Sequence, residues 1–171
     1  MDPNVGFYWA QAIGISGAAW LSGNIASLST ITTPTLLQYD KETNQSPRLL
    51  AQQWKSLFET GKAQNPPIAA TVAASFLYLA WSVGQGAALY KNVVYNRVAL
   101  YLAAAALTVG IVPFTIITMS GTNKLLLQKA QSTSESDREV PGLVKQWTGL
   151  NFARSLLPLA GAACGIIAAI S

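Results

Sequence analysis

Four long stretches of this chain carry no charge. Residues 3–39, 63–90, 98–123 and 155–171 contain no Asp, Glu, Lys or Arg, giving uncharged runs of 37, 28, 26 and 17 in a chain of 171 residues. A helix crossing the hydrocarbon of a bilayer needs roughly 20 mostly apolar residues. Charged residues make up only 11% of the chain and hydrophobic ones 51%, where a soluble domain carries about 25% charged residues. So few charges cannot clothe a compact water-soluble monomer. The pattern predicts an all-α protein: a four-helix transmembrane bundle, up-down-up-down, forming one integral membrane domain over residues 1–171.

The spans are expected at about 7–29, 68–90, 98–120 and 149–170. The first is too long for a signal-peptide core and lacks a basic N-terminus, so it reads as a retained helix. Gly14, Gly17, Ala18 and Gly23 make one side of it small, which suits close helix packing in lipid. Between the first two spans, Ser46 fits an N-cap, Pro47 a first helical position and Gly61 a stop. Leu50, Trp54, Leu57 and Phe58 form one apolar stripe there. The spacing predicts a short amphipathic helix at about 46–60, lying on the membrane surface or capping the bundle. Pro66 and Pro67 are expected to break the chain before the second span. Pro113 should kink the third and free a carbonyl one turn earlier, and SGTN at 120–123 should end it. The last helix is expected to start near Pro141. Eight of the eleven Lys and Arg fall in the first and third loops, and this count places both loops in the cytosol.

Composition also removes chemistries. There is no histidine and one cysteine, Cys164, which excludes His-based triads, His-ligated haem, ordinary zinc, copper or di-iron sites, and an internal disulfide. The net charge of +4 is scattered and makes no nucleic-acid footprint.

The polar residues that remain collect at one mouth of the expected bundle: Asn24, Gln53, Trp54, Thr122, Asn123, Trp147, Asn151 and Arg154. On the last span, Trp147, Asn151, Arg154, Pro158, Gly161 and Gly165 follow spacings of 4, 3, 4, 3 and 4, one stripe facing one direction. A buried arginine in lipid costs at least ~2.5 kcal/mol on insertion scales. Arg154 either snorkels to headgroups and caps carbonyls freed by Pro113, or it is a fixed cation holding an oxyanion in a half-dry pocket. Asn123 is either a helix cap or an amide donor. Trp54 and Trp147 are interface anchors or substrate platforms, and Gly161 and Gly165 are packing residues. Glu59 and Glu139 lie close enough to the mouth to serve as bases.

Four segments carry a resemblance: LSGNIASLSTITTPTLL at 21–37, QQWKSLFETGKAQNPP at 52–67, LYLAAAALTVGIVPFTIITMSGTNKLLL at 100–127 and LVKQWTGLNFARSLLPLAGA at 143–162. The chain resembles the anthrone oxygenase-like family of small membrane proteins of natural-product biosynthesis. The resemblance implies a four-helix membrane protein that oxidises an anthrone to an anthraquinone with molecular oxygen and no cofactor. It matches family positions at Trp54, Thr122, Asn123, Trp147, Asn151 and Arg154. For such a substrate, Arg154 and the amides of Asn151 and Asn123 are expected to act catalytically by stabilising the enolate oxygen. Trp54, Trp147, Gln53, Thr122 and Asn24 then contact the substrate, and no metal is bound. The expected partners are a lipophilic aromatic polyketide and the bilayer, with a homo-oligomer or other pathway enzymes besides and no nucleic acid. The expected location is the endoplasmic reticulum or another endomembrane. Two rival readings use the same scaffold: a cofactor-free cyclase or isomerase of a polyketide or terpenoid intermediate, and a non-catalytic membrane adaptor for pathway enzymes.

Overall fold

A computed structural model describes residues 3–43, 45–85, 91–132 and 138–171, and every regular element among them is helical. The helices are α1 (Pro3–Ser27), α2 (Thr33–Thr43), α3 (Pro47–Gln85), α4 (Lys91–Val109), α5 (Ile111–Phe114), α6 (Ser120–Gln131) and α7 (Val140–Ile170). Two π-helical segments interrupt them, Leu28–Thr32 between α1 and α2 and Thr115–Met119 between α5 and α6. Three stretches are long and apolar enough to cross a membrane: Pro47–Gly84, Asn96–Gln131 and Val140–Ile170. Helix α1 covers most of the expected first span but is not one of these three. Trp9, Trp20, Trp81, Ile117, Leu159 and Ile166 all face outward. A surface this rich in large apolar side chains belongs in lipid, and the chain is a helical-bundle membrane protein.

Two elements differ from the sequence expectation. The amphipathic segment at 46–60 and the second span form one helix, α3, which runs unbroken through Pro66 and Pro67. The two prolines remove the N–H groups that would serve the carbonyls of Lys62 and Ala63. Packing on both sides outweighs that loss: Leu50, Ala51 and Trp54 are buried upstream, and Ala69, Val72 and Phe76 downstream. Gly61 therefore does not stop the helix. SGTN at 120–123 likewise opens α6 rather than ending the third span, because Leu126 and Ala130 carry its buried face onward. Residues 86–90, closing the expected second span, and 133–137, inside the third expected loop, lie outside the described residues.

The chain forms two compact units. The first comprises residues 1–22, 65–111 and 156–171. Its core is built mostly from alanines around Phe76, Leu79 and Tyr101. Small residues set the helix separation here. A Cβ on Gly161 would lie 3.0 Å from the Ala104 carbonyl oxygen and 2.9 Å from the Thr108 hydroxyl. A Cβ on Gly165 would lie 2.7 Å from the Phe76 ring, and one on Gly17 2.5 Å from Val72. Gly23, expected on the same small face as Gly17, meets nothing within 4 Å. Gln11 donates to the Tyr101 hydroxyl at 2.9 Å, and Arg97 Nε donates to the Ala168 carbonyl at 3.0 Å, capping the end of α7 with a cation. Cys164 packs half-buried against this core.

The second unit comprises residues 23–64 and 112–155. The stripe of Leu50, Trp54 and Phe58 becomes its core, with Met119, Leu126, Val140, Val144 and Trp147.

The backbone contact at Gly161 predicts a sharp asymmetry between two glycines. Gly161→Val is expected to destabilise the folded protein by about 1–3 kcal/mol through overpacking. Gly23→Ala is expected to be neutral or to stabilise it by up to ~1 kcal/mol through helix propensity. Unfolding transitions in detergent measure both.

Candidate active site

The polar centre of the second unit is built on α7. Asn151 and Arg154 stand three residues apart and therefore on one face. Arg154 Nη2 donates to Asn151 Oδ1 at 2.7 Å, and Arg154 Nη1 donates to the Thr115 hydroxyl at 2.8 Å. Asn151, fully buried, uses its Nδ2 to reach the Ile25 carbonyl at 2.9 Å and the Ser29 hydroxyl at 2.8 Å. One turn before Asn151, the Thr148 hydroxyl meets that of Thr33 at 2.8 Å. Ser29 and Thr115 lie within the two π-helical segments, Thr33 borders the first, and Ile25 stands three residues before it.

That coincidence has a physical origin. A π-bulge adds a residue to a helical turn, and such bulges gather at functional sites. In the first segment the Thr33 N–H reaches back to the Leu28 carbonyl, five residues earlier, while the Asn151 amide occupies the Ile25 carbonyl just upstream. A side chain inserted into the backbone ladder is one of the recognised causes of such a distortion. In the second segment Pro113 removes a donor two residues before Thr115. The kink expected at Pro113 thus takes the form of a turn at Gly110, a short α5 and a π-helical segment that carries Thr115.

Both partners of Arg154 are neutral, and no carboxylate pairs with it among the described residues. Its Nε is buried without a hydrogen-bond partner. The guanidinium is fixed on two sides and has one donor unspent. Five more buried polar atoms in this unit also lack partners: Gln45 Oε1, Arg48 Nε, Trp54 Nε1, Trp147 Nε1 and Asn123 Oδ1. Unsatisfied buried groups are rare enough that each calls for an explanation.

Beside the second π-helical segment lies an open hollow of about 400 Å³, lined by Thr115, Ile116, Ser120, Asn123, Lys124, Leu127, Gln128 and Gln131. Its volume lies within the range of about 300–1,000 Å³ usual for small-molecule sites. It joins Asn123 to Thr115, and Thr115 is the partner of Arg154.

The expected site residues divide as follows. Asn151 and Arg154 are bonded to each other and do not line the hollow, whereas Asn123 lines it together with Thr115, the partner of Arg154. Trp54 and Trp147 pack edge to face at 5.7 Å, and Phe58 covers the Trp54 face at 5.1 Å. They form a buried aromatic core rather than open stacking platforms. Thr122 is buried but does not line the hollow. Gln53 is half-buried and accepts from Gln45 at 3.3 Å, and Asn24 is half-buried just before Ile25, its carbonyl receiving the Ser27 hydroxyl at 2.8 Å. Glu59 and Glu139, the expected bases, are exposed and paired with Lys55 at 3.6 Å and Lys129 at 3.1 Å. Sequence reasoning missed Ser29, Thr33, Thr115 and Thr148. The signals for three of them were a hydroxyl-rich run, SLSTITT at 27–33, inside an uncharged stretch, and a threonine two residues after Pro113.

Comparison with known proteins gives this geometry a context. Residues 54–164 match the family model described as anthrone oxygenase. The chain belongs to the anthrone oxygenase family. It is 32% identical to an anthrone oxygenase of Aspergillus fumigatus, over 94% of this chain and 92% of that one. It is 33% identical to an anthrone oxygenase of Paecilomyces divaricatus, over 91% and 92%. It is 29% identical to a noranthrone monooxygenase of Aspergillus flavus, over 92% and 71%. No solved structure matches the chain. The stretch that matches the anthrone oxygenase family begins at Trp54 and contains Thr115, Asn123, Trp147, Asn151 and Arg154, while Ser29 and Ile25 lie before it.

The hydroxyl of Thr115 is the testable joint of this network. Thr115→Val keeps the shape and leaves Arg154 Nη1 without its acceptor, which is expected to cost about 1–3 kcal/mol of stability. Thr115→Ser restores the hydroxyl and is expected to recover most of that loss. Paired unfolding measurements in detergent decide it.

Proposed function

We propose that this chain is a cofactor-independent oxygenase that converts an anthrone-type aromatic polyketide into the corresponding anthraquinone. The observation that carries the reading is Arg154: a cation held by neutral groups, with one buried N–H donor unspent. Such a group favours a substrate in its anionic form. The relatives named anthrone oxygenase and noranthrone monooxygenase support the choice of substrate class.

The chemistry balances without an external reductant. Converting the methylene between the aromatic rings into a carbonyl is a four-electron oxidation, and one molecule of oxygen accepts all four electrons. One oxygen atom becomes the new carbonyl and the other leaves as water. Loss of a methylene proton, to water or to the substrate's own phenolate, gives an enolate whose oxygen lies against Arg154. The enolate passes one electron to oxygen, and the two radicals combine at the methylene carbon as a peroxide. The peroxide takes up a proton, and loss of water with the remaining hydrogen of that carbon yields the quinone. Asn151 and Thr115 hold the guanidinium in place through these steps, so it need not reorganise as charge develops.

Every electron comes from the substrate, which agrees with a chain that has no histidine and a single cysteine for metal ligation. A lipophilic substrate dissolved in the bilayer also supports residence in an endomembrane, with the endoplasmic reticulum as the first place to look.

Purified protein in detergent, given an anthrone, is expected to consume one oxygen per quinone formed. Labelled oxygen gas is expected to place its label in the new carbonyl. Arg154→Ala is expected to lower kcat by about 10²–10³, the usual effect of removing one donor to a developing oxyanion. Full turnover by a folded Arg154→Ala protein overturns the assignment, and quinone formation without oxygen uptake favours a different reaction on the same scaffold.

A further inference from the structure

The hollow has a second end that the reaction does not use. On α6, Lys124, Gln128 and Gln131 follow spacings of four and three, so they share one face, and all three line the hollow. Lys124 is exposed. Lys55 and Lys129 of the same unit are paired with Glu59 and Glu139, but no carboxylate pairs with Lys124 among the described residues. An unneutralised ammonium in a mostly apolar recess attracts anions more strongly than one on an open surface. At the other end stands Thr115, nine residues away, or roughly 13 Å at the helical rise per residue. Three fused rings with one substituent cover such a distance. Between the two ends, the buried Asn123 Oδ1 lacks a donor, and a phenolic hydroxyl would supply one.

We propose that the hollow selects an anthrone that carries a carboxylate, bound lengthwise along α6. The reacting ring edge points towards Thr115 and Arg154, a ring hydroxyl donates to Asn123 Oδ1, and the carboxylate meets Lys124, with Gln128 and Gln131 as amide donors beside it. Lys124 is then a specificity residue. It sets which anthrone is held, while the oxidation itself depends on Arg154.

The assignment rests on the oxygenase reading for its substrate, so the test reads binding apart from turnover. Anthraquinone-2-carboxylate and uncharged anthraquinone are titrated against full-length protein in neutral detergent, followed by tryptophan fluorescence. Wild-type protein is expected to prefer the carboxylate, and Lys124→Gln to reduce that preference about tenfold to a hundredfold, the usual range for one hydrogen bond to a charged group. Lys124→Arg is expected to keep most of it, and added salt to weaken it in the wild type alone. The proposal is overturned if wild-type protein shows no preference for the carboxylate, or if Lys124→Gln keeps the wild-type preference, as it would were Lys124 serving only lipid headgroups. A Lys124-dependent preference in a protein that oxidises no anthrone supports this hollow as an anion-selecting site and overturns the oxygenase reading instead.

Discussion

The organisation of the second unit depends on one cation placed where charge is expensive. Arg154 stands on a helix apolar enough to cross a membrane, and the usual remedy for such a residue is a carboxylate close by. Its guanidinium is instead held by an amide oxygen and a hydroxyl. Neutral acceptors supply hydrogen bonds without cancelling the charge, so the positive field survives for something else. The amide that accepts from Arg154 is itself fixed by a backbone carbonyl and a serine hydroxyl. The chain of bonds runs from Ser29 through Asn151 and Arg154 to Thr115, and it ties together three segments distant in sequence.

The two π-helical segments follow from this arrangement. Each carbonyl of a regular helix serves the N–H four residues on and keeps a second lone pair for a side chain, as the Ala104 carbonyl does for Thr108. Asn151 reaches the Ile25 carbonyl three residues before the first π-helical segment, and Thr115 is carried by the second, just after a proline that has already removed a donor. The distortions are local devices for presenting oxygen atoms to α7. The first unit shows the contrasting solution. There Gly161 and Gly17 let helices approach until backbone and side chains touch, and close packing does the work that hydrogen bonds do around Arg154.

Much of this was legible in the sequence, and the limits are physical. The uncharged runs gave the helical membrane class, and the spacing of Trp147, Asn151 and Arg154 gave the working face of α7, because periodicity within one helix is a local property. Partners on other helices were not legible: Thr115 and Ser29 become recognisable only once the backbone distortions put their hydroxyls opposite Arg154 and Asn151. Pro66 and Pro67 misled for a related reason. Their local cost is real, but it is outweighed by tertiary packing on both flanks, which no local rule contains. Trp54 and Trp147 illustrate a third limit, since an aromatic open to a site and one packed in a buried core look alike in sequence.

The charge state of the site also bears on which reaction suits it. A carboxylate beside Arg154 would form a neutral pair in the resting protein, and an incoming enolate would have to compete with it. In the proposed reaction, neutral partners leave Arg154 without a counter-charge until the substrate ionises, so the interaction strengthens as the reaction begins. That difference between ground state and reacting state is what accelerates a step, whereas equal affinity for both does not. Glu59 and Glu139 are exposed, paired with Lys55 and Lys129, and outside the lining of the hollow.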